Sequence, residues 1–101
     1  MNIYRMSQDL HNSYDTYDSV IVAAESVDDA RTIHPSQFIT HMKNGMWMCT
    51  YAEKAGGGEY EMDDDGTWVS YSQIDKIQVE LIGIAADGVE RGVLLASFNA
   101  G

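Results

Sequence analysis

The stretch "DSVIVAAE", residues 18–25, constrains the fold more than any other part of this chain. In an extended backbone, Val20, Val22 and Ala24 point to one side and Ile21 and Ala23 to the other, so both faces need cover. That pattern predicts a central strand. "NIYRMSQ" (2–8) is rich in strand-forming residues. The Asp, Asn and Ser of the intervening "DLHNSYDTY" favour a turn, which predicts that the two strands pair antiparallel.

A short helix follows, over about residues 26–34. Ser26 is placed to accept backbone N–H groups as N-cap, and Asp28 and Asp29 fall in the first turn, where the helix dipole favours negative charge. Val27, Ala30 and His34 recur at helical spacing with Ile33 beside them, and Pro35 is expected to stop the helix. Residues 36–45 read equally as loop, helical turn or a strand ending in the turn signal Asn44-Gly45.

"MWMCTYAE" (46–53) alternates Trp47, Cys49 and Tyr51 against Met46, Met48 and Thr50, which predicts a strand. "KAGGGEYEMDDDGT" combines three glycines with a dense run of acids, and reads as a flexible loop closed by an Asp65-Gly66 turn. "TWVSY" is expected to resume extended structure, with a turn in "SQIDK". "KIQVELIGIA" (76–85) places Ile77, Val79 and Leu81 inward and Gln78 and Glu80 outward. "RGVLLASFNA" (91–100) is expected to pair with it as a C-terminal hairpin, with Phe98 closing the core. The resulting expectation is an α+β fold: an antiparallel sheet of five or six strands with one short helix packed on one face.

The chain has 101 residues, which implies a single domain spanning 1–101. An apolar content of 45%, with six Tyr, two Trp and two Phe, is that of a chain that folds despite its charge. No apolar run approaches the roughly 18 residues of a membrane span, and the N-terminus lacks the features of a secretory signal, so the expected location is cytoplasmic. Cys49 is the chain's one cysteine, which excludes an intramolecular disulfide and any zinc site built on several thiolates. It is expected to be a buried, inert thiol.

Sixteen acidic residues against six basic ones give a formal net charge of −10. Such a surface repels nucleic acid phosphates and anionic membranes, so neither is an expected partner. It suits a basic patch on another protein, including one that normally grips nucleic acid.

The candidate chemical motifs carry little. Gly56-Gly57-Gly58 lacks a following Gly-Lys-Ser/Thr, and Glu59 and Glu61 beside it repel phosphate. Glu61, Asp63 and Asp65 alternate like the start of a calcium loop, yet Ser72 stands where the bidentate glutamate belongs. His11, His34 and His41 lack the spacing of a helical metal pair, and His34 is better placed to meet the dipole at the helix's last turn. No nucleophile-elbow sequence surrounds Ser70 to go with His41 and Asp75. The expectation is therefore a protein without catalysis, metal or cofactor.

"SYDTYDS" (13–19) puts Tyr14, Asp15, Tyr17 and Asp18 where the chain enters its central strand. Tyr60, Glu61, Asp63, Asp64, Asp65 and Trp68 repeat that acidic and aromatic mixture around the glycine-rich loop. Tyrosine supplies a large contact area at low entropic cost, and carboxylates seek basic partners. If adjacent, the two segments form one partner-binding patch.

Three stretches together, "YDTYDSVIVAAES" followed by "DDARTIHP", the central "TWVS", and "LIGIAADGVERGVLLASFNAG", resemble a group of small proteins of unassigned role in tailed phages and prophages. The resemblance covers roughly the first and last thirds of the chain. It implies a phage-encoded accessory protein acting in an infected bacterium, and carries no catalytic residues with it. With the acidic patch, it leads to the expectation of a non-enzymatic inhibitor of a bacterial host or antiviral-defence protein. The alternative is an oligomeric sponge for a signalling nucleotide, in which Arg5, Arg31 and Arg91 would have to converge on the phosphates. Exposed sheet edges in a chain of this size also allow pairing as a homodimer.

Overall fold

The computed structural model describes residues 1–11, 14–36, 38–50, 58–63 and 66–99. Strand β1 (Asn2–Ser7) and strand β2 (Thr16–Ala24) form the expected antiparallel pair, in register from Asn2 opposite Ala24 to Ser7 opposite Ser19. Both lie inside a four-stranded sheet. Helix α1 (Val27–Arg31) follows, then a second sheet of β3 (His41–Lys43), β4 (Met46–Thr50) and β5 (Glu59–Glu61). A 3-10 turn at Tyr71–Lys76 leads into β6 (Gln78–Ile84), and β7 (Gly92–Asn99) ends the described chain. The architecture is α+β with antiparallel pairing throughout.

The core lies between the sheets. Tyr4 and Met6 from β1 and Val20, Val22 and Ala24 from β2 share one face of the large sheet. Trp47 and Cys49 of β4, Ala30 of α1, and Trp68, Val69 and Ile77 complete the cluster. Cys49 is buried and free, as expected. Ala23 is also fully buried on the opposite face of β2, but Ile21 on that face is half-buried and Arg5 opposite it exposed, so the second face is covered only in part.

Several expectations need correcting. The C-terminal hairpin does not form: the sheet order is β6-β1-β2-β7, so the last two strands occupy opposite edges. Because β1 and β2 already pair, each offers one free edge. Residues 85–91 cross the ends of both strands, a gap of roughly 14 Å at about 4.8 Å per strand, well within reach of seven residues. Ala85 N–H donates to Met1 C=O at 2.9 Å at one end of this crossing. At the other, the Arg91 guanidinium donates to both Asp29 carboxylate oxygens, at 3.0 and 3.1 Å, and to Thr32 Oγ1 at 2.8 Å.

There are also two sheets rather than one, and seven strands among the described residues. Residues 41–43 are a strand, turned into β4 by Asn44 and Gly45, both at positive φ (54° and 74°). That is the backbone a two-residue hairpin turn demands and that Asn-Gly tolerates best. "TWVSY" is not a strand. Trp68 and Val69 are buried as loop residues, where the Val69 C=O accepts the indole N–H of Trp47 at 2.9 Å. Leu81, expected inward, is 59% exposed, and Phe98 is 45% exposed and lies tilted against the Tyr17 ring rather than closing the core.

The helix starts as expected, with Asp29 N–H donating to the Ser26 hydroxyl at 3.1 Å, but it ends at Arg31. Thr32 ends it: its hydroxyl donates to the Asp29 C=O at 2.7 Å, competing for the carbonyl that a further turn would use. The residue before Pro35 also avoids helical backbone. His34 therefore lies beyond the helix, buried edge-on against Trp47 at 5.1 Å, and not at a dipole terminus.

Candidate functional site

The two acidic and aromatic segments meet. Tyr17 N–H donates to the Thr67 C=O at 2.8 Å, which brings the entry to β2 against the segment 66–68. Their residues divide sharply in role. Trp68 is 1% exposed and belongs to the core, so it cannot touch a partner at the surface. Its bulk is satisfied by burial beside Val69, and its indole N–H has no hydrogen-bond partner among the described residues.

Asp63 is likewise structural. Its Oδ1 accepts the backbone N–H of Trp47 at 3.0 Å and of Tyr71 at 2.9 Å, tying β4 to the start of the 3-10 turn. Tyr60 is half-buried against the core, and Tyr17 is half-buried with its ring 4.8 Å from that of Phe98. Glu61 is exposed, and its Oε1 accepts the Asp63 N–H at 2.6 Å. Asp64, Asp65, Tyr51 and the glycines 56 and 57 lie outside the described residues.

What stays at the surface is Tyr14, 73% exposed, with Asp15 and Asp18 on either side of the strand entry. Asp15 has a positive φ of 60°, a left-handed conformation that aspartate adopts more readily than most residues. Its N–H donates to the Asn99 C=O, which ties this turn to the end of β7. Among the described residues, the side chains of Tyr14, Asp15 and Asp18 make no hydrogen bond or ion pair. They are therefore available to another molecule.

The arginines do not form a joint anion site. Arg5 is exposed in β1, opposite Ile21, on the face of the sheet turned away from the core. Arg31 donates to the Ile77 C=O at 3.2 Å and lies 3.7 Å from Asp28. Arg91 lines a cleft of about 320 Å³ together with His34, His41, Thr40 and Trp47. Its charge there is already matched by Asp29. Sequence reading missed the second tie of this kind, at Glu59. Lys43 Nζ donates to Oε2 at 2.7 Å, and His41 Nε2 lies 3.1 Å from Oε1. The hydrogen bond from Lys43 and the nearby charges of Lys43 and His41 hold the Glu59 carboxyl below its usual value.

No group of three or more metal-ligating side chains occurs among the described residues. No helix among them is long and apolar enough to cross a membrane. Among the described residues, the site is thus a surface of one exposed tyrosine and two carboxylates without a hydrogen bond or ion pair, at the entry to β2. No family model, curated protein or solved structure matches the chain.

Proposed function

We propose that this is a non-enzymatic, phage-encoded accessory protein that binds and inhibits a bacterial host or antiviral-defence protein, working in the bacterial cytoplasm. The observation that carries this reading is the uncommitted trio of Tyr14, Asp15 and Asp18 on a strand entry held by the Tyr17–Thr67 hydrogen bond. Tyr14 serves as the buried anchor of the complex, and the two carboxylates meet basic residues. The net charge of −10 speeds encounter with a basic surface. Because Asp63 and Trp68 serve the fold, the contact surface is smaller than the ten residues the sequence suggests.

The test is capture from bacterial lysate at low salt, using the wild-type protein and a Tyr14→Ala/Asp15→Asn/Asp18→Asn variant of unchanged melting temperature. A stoichiometric protein retained by the wild type, released by salt and lost by the variant is the expected result. Retention of the same protein by both versions would remove the site from this surface. A nucleotide released by heat, with no protein retained, would favour the sponge and turn attention to the Arg91 cleft.

A further inference from the structure

The two edge strands of the large sheet carry an unusual share of the exposed apolar side chains. Leu81, Ile82 and Ile84 lie on β6, and Val93, Leu94, Leu95 and Phe98 on β7. In β7 the successive residues Val93, Leu94 and Leu95 are all exposed, so the strand is apolar on both faces. That is the pattern of a strand inside a sheet, not at its margin. Edges are ordinarily blunted by charge, proline or shortness. The second sheet follows this rule, since β3 and β5 have three residues each and carry Lys43, Glu59 and Glu61. Gly92–Asn99 runs for eight residues without a charge or a proline, its only irregularities being the register shifts opposite Tyr17/Ser19 and Ile21/Val22.

We infer that the β7 edge is the contact between two copies of this chain, joined by antiparallel β7–β7 pairing about a two-fold axis at Leu95, which then lies opposite its own copy. Charge selects this strand. Two chains of −10 repel each other wherever carboxylates meet, and β7 has none, whereas the other edge, β6, carries Glu80. Symmetry favours it as well: pairing of like edges closes at two copies, whereas β6 on β7 would build rings or open filaments.

The area is also adequate. Val93, Leu94, Leu95 and Phe98 with neighbouring Phe38, exposed by 40, 46, 69, 45 and 61%, offer apolar side-chain surface to the second copy. Together they present roughly 400 Å² per copy. That is half of the ~800 Å² per partner of a stable interface. The outer backbone edge of the strand, which pairs with no other described strand, and a polar rim of Ser36 and Ser97 supply the rest. Beside the strand, a groove of about 410 Å³ between Phe38, Pro35, Tyr17 and Val93 faces the approaching copy. Antiparallel pairing about Leu95 sets the two Leu95 side chains side by side and carries Phe98 of each copy opposite Gly92 of the other, next to Val93.

The experiment is light scattering after size exclusion at tens of micromolar, on the full chain. The expected mass is twice 11.2 kDa for the wild type and for Ile82→Lys, and 11.2 kDa for Leu95→Lys, whose side chain is exposed enough to leave the fold intact. Leu95→Lys should weaken the pairing by at least about a hundredfold, since it buries unpaired charge at the axis. In parallel, Leu95→Cys should form an intermolecular disulfide under mild oxidation, while the wild type, with Cys49 buried, should not. A wild type that is monomeric overturns the inference. So does a dimer that survives Leu95→Lys, or one lost instead in Ile82→Lys.

Discussion

Asp63 offers the sharpest division between structure and recognition, because a single carboxylate oxygen accepts two backbone N–H groups from separate parts of the chain. Trp47 N–H lies 3.0 Å from Oδ1 and Tyr71 N–H 2.9 Å from it, and both donors flank the aromatic contact between Trp47 and Tyr71, with centroids 5.1 Å apart. Hydrogen bonds to charged groups contribute about 1.5–3 kcal/mol each. Asp63 is half-buried, so water replaces part of the loss and the lower end of that range applies. Asp63→Ala should then cost about 3 kcal/mol in total. For a domain of this size that is a fall in melting temperature of roughly 12–24 °C. Asp63→Asn keeps an acceptor oxygen but loses the charge, and should cost about half as much. Urea unfolding followed by tryptophan fluorescence reads both variants, since Trp47 is itself one of the tied residues. A loss below about 0.5 kcal/mol for Asp63→Ala, the level of an ordinary surface change, would refute the assignment of this carboxylate to the fold. Retained partner capture by Asp63→Asn would separate it from the recognition surface as well.

The two buried tryptophans should respond differently to the same change. Trp47→Phe removes the indole donor to the Val69 C=O at 2.9 Å, so it should cost about 1–2 kcal/mol more than Trp68→Phe, which removes an N–H with no partner among the described residues; equal losses by chemical denaturation would contradict this. The Glu59 pair should make the small sheet sensitive to acid. Because the Glu59 carboxyl titrates below its usual value of 4.5, its ties to Lys43 and His41 add stability that is fully present above that value and is lost as pH falls through the lowered one. Protection of the amides in β3 and β5, relative to their intrinsic exchange rates at each pH, should therefore fall at acid pH in the wild type, and Glu59→Gln should remove that dependence without changing protection in β1 and β2.

Local chemistry made some elements legible in the sequence. The Asn44-Gly45 turn, the Ser26 cap and the β1–β2 pairing each depend on residues within a few positions of one another, and each is present. The strand partners of residues 78–84 and 92–99 were not legible, because alternation identifies a strand and says nothing of its neighbour. The hairpin between them would have been the local solution. The edges of β1 and β2 win because pairing there brings Ile77, Val79 and Ala96 onto the same core. The structural roles of Asp63 and Trp68 are not legible in the sequence for a related reason. An acidic, aromatic segment looks alike whether it faces a partner or wraps a core, and only the positions of Trp47 and Tyr71 across the chain decide it. Asn44, by contrast, carries its reason in its own backbone preference.

The two surfaces argued above differ in how they depend on salt, and this separates them without any mutation. On the proposed reading the strand entry at Tyr14, Asp15 and Asp18 would attract a basic partner, so raising ionic strength should shorten the reach of that attraction and slow association. The β7 edge brings together two chains that each carry −10, and its contact is free of charge. There, screening removes a repulsion while leaving apolar burial intact, so the same increase in salt should strengthen pairing. Between 0.05 and 0.5 M salt the screening length falls from roughly 14 Å to about 4 Å, enough to mute charges that are not in direct contact. Sedimentation across that range should show self-association rising while capture of the bacterial partner falls. If both fall together, the contact between copies is made by charged groups, and the β7 edge, which has none, is not where the two chains meet.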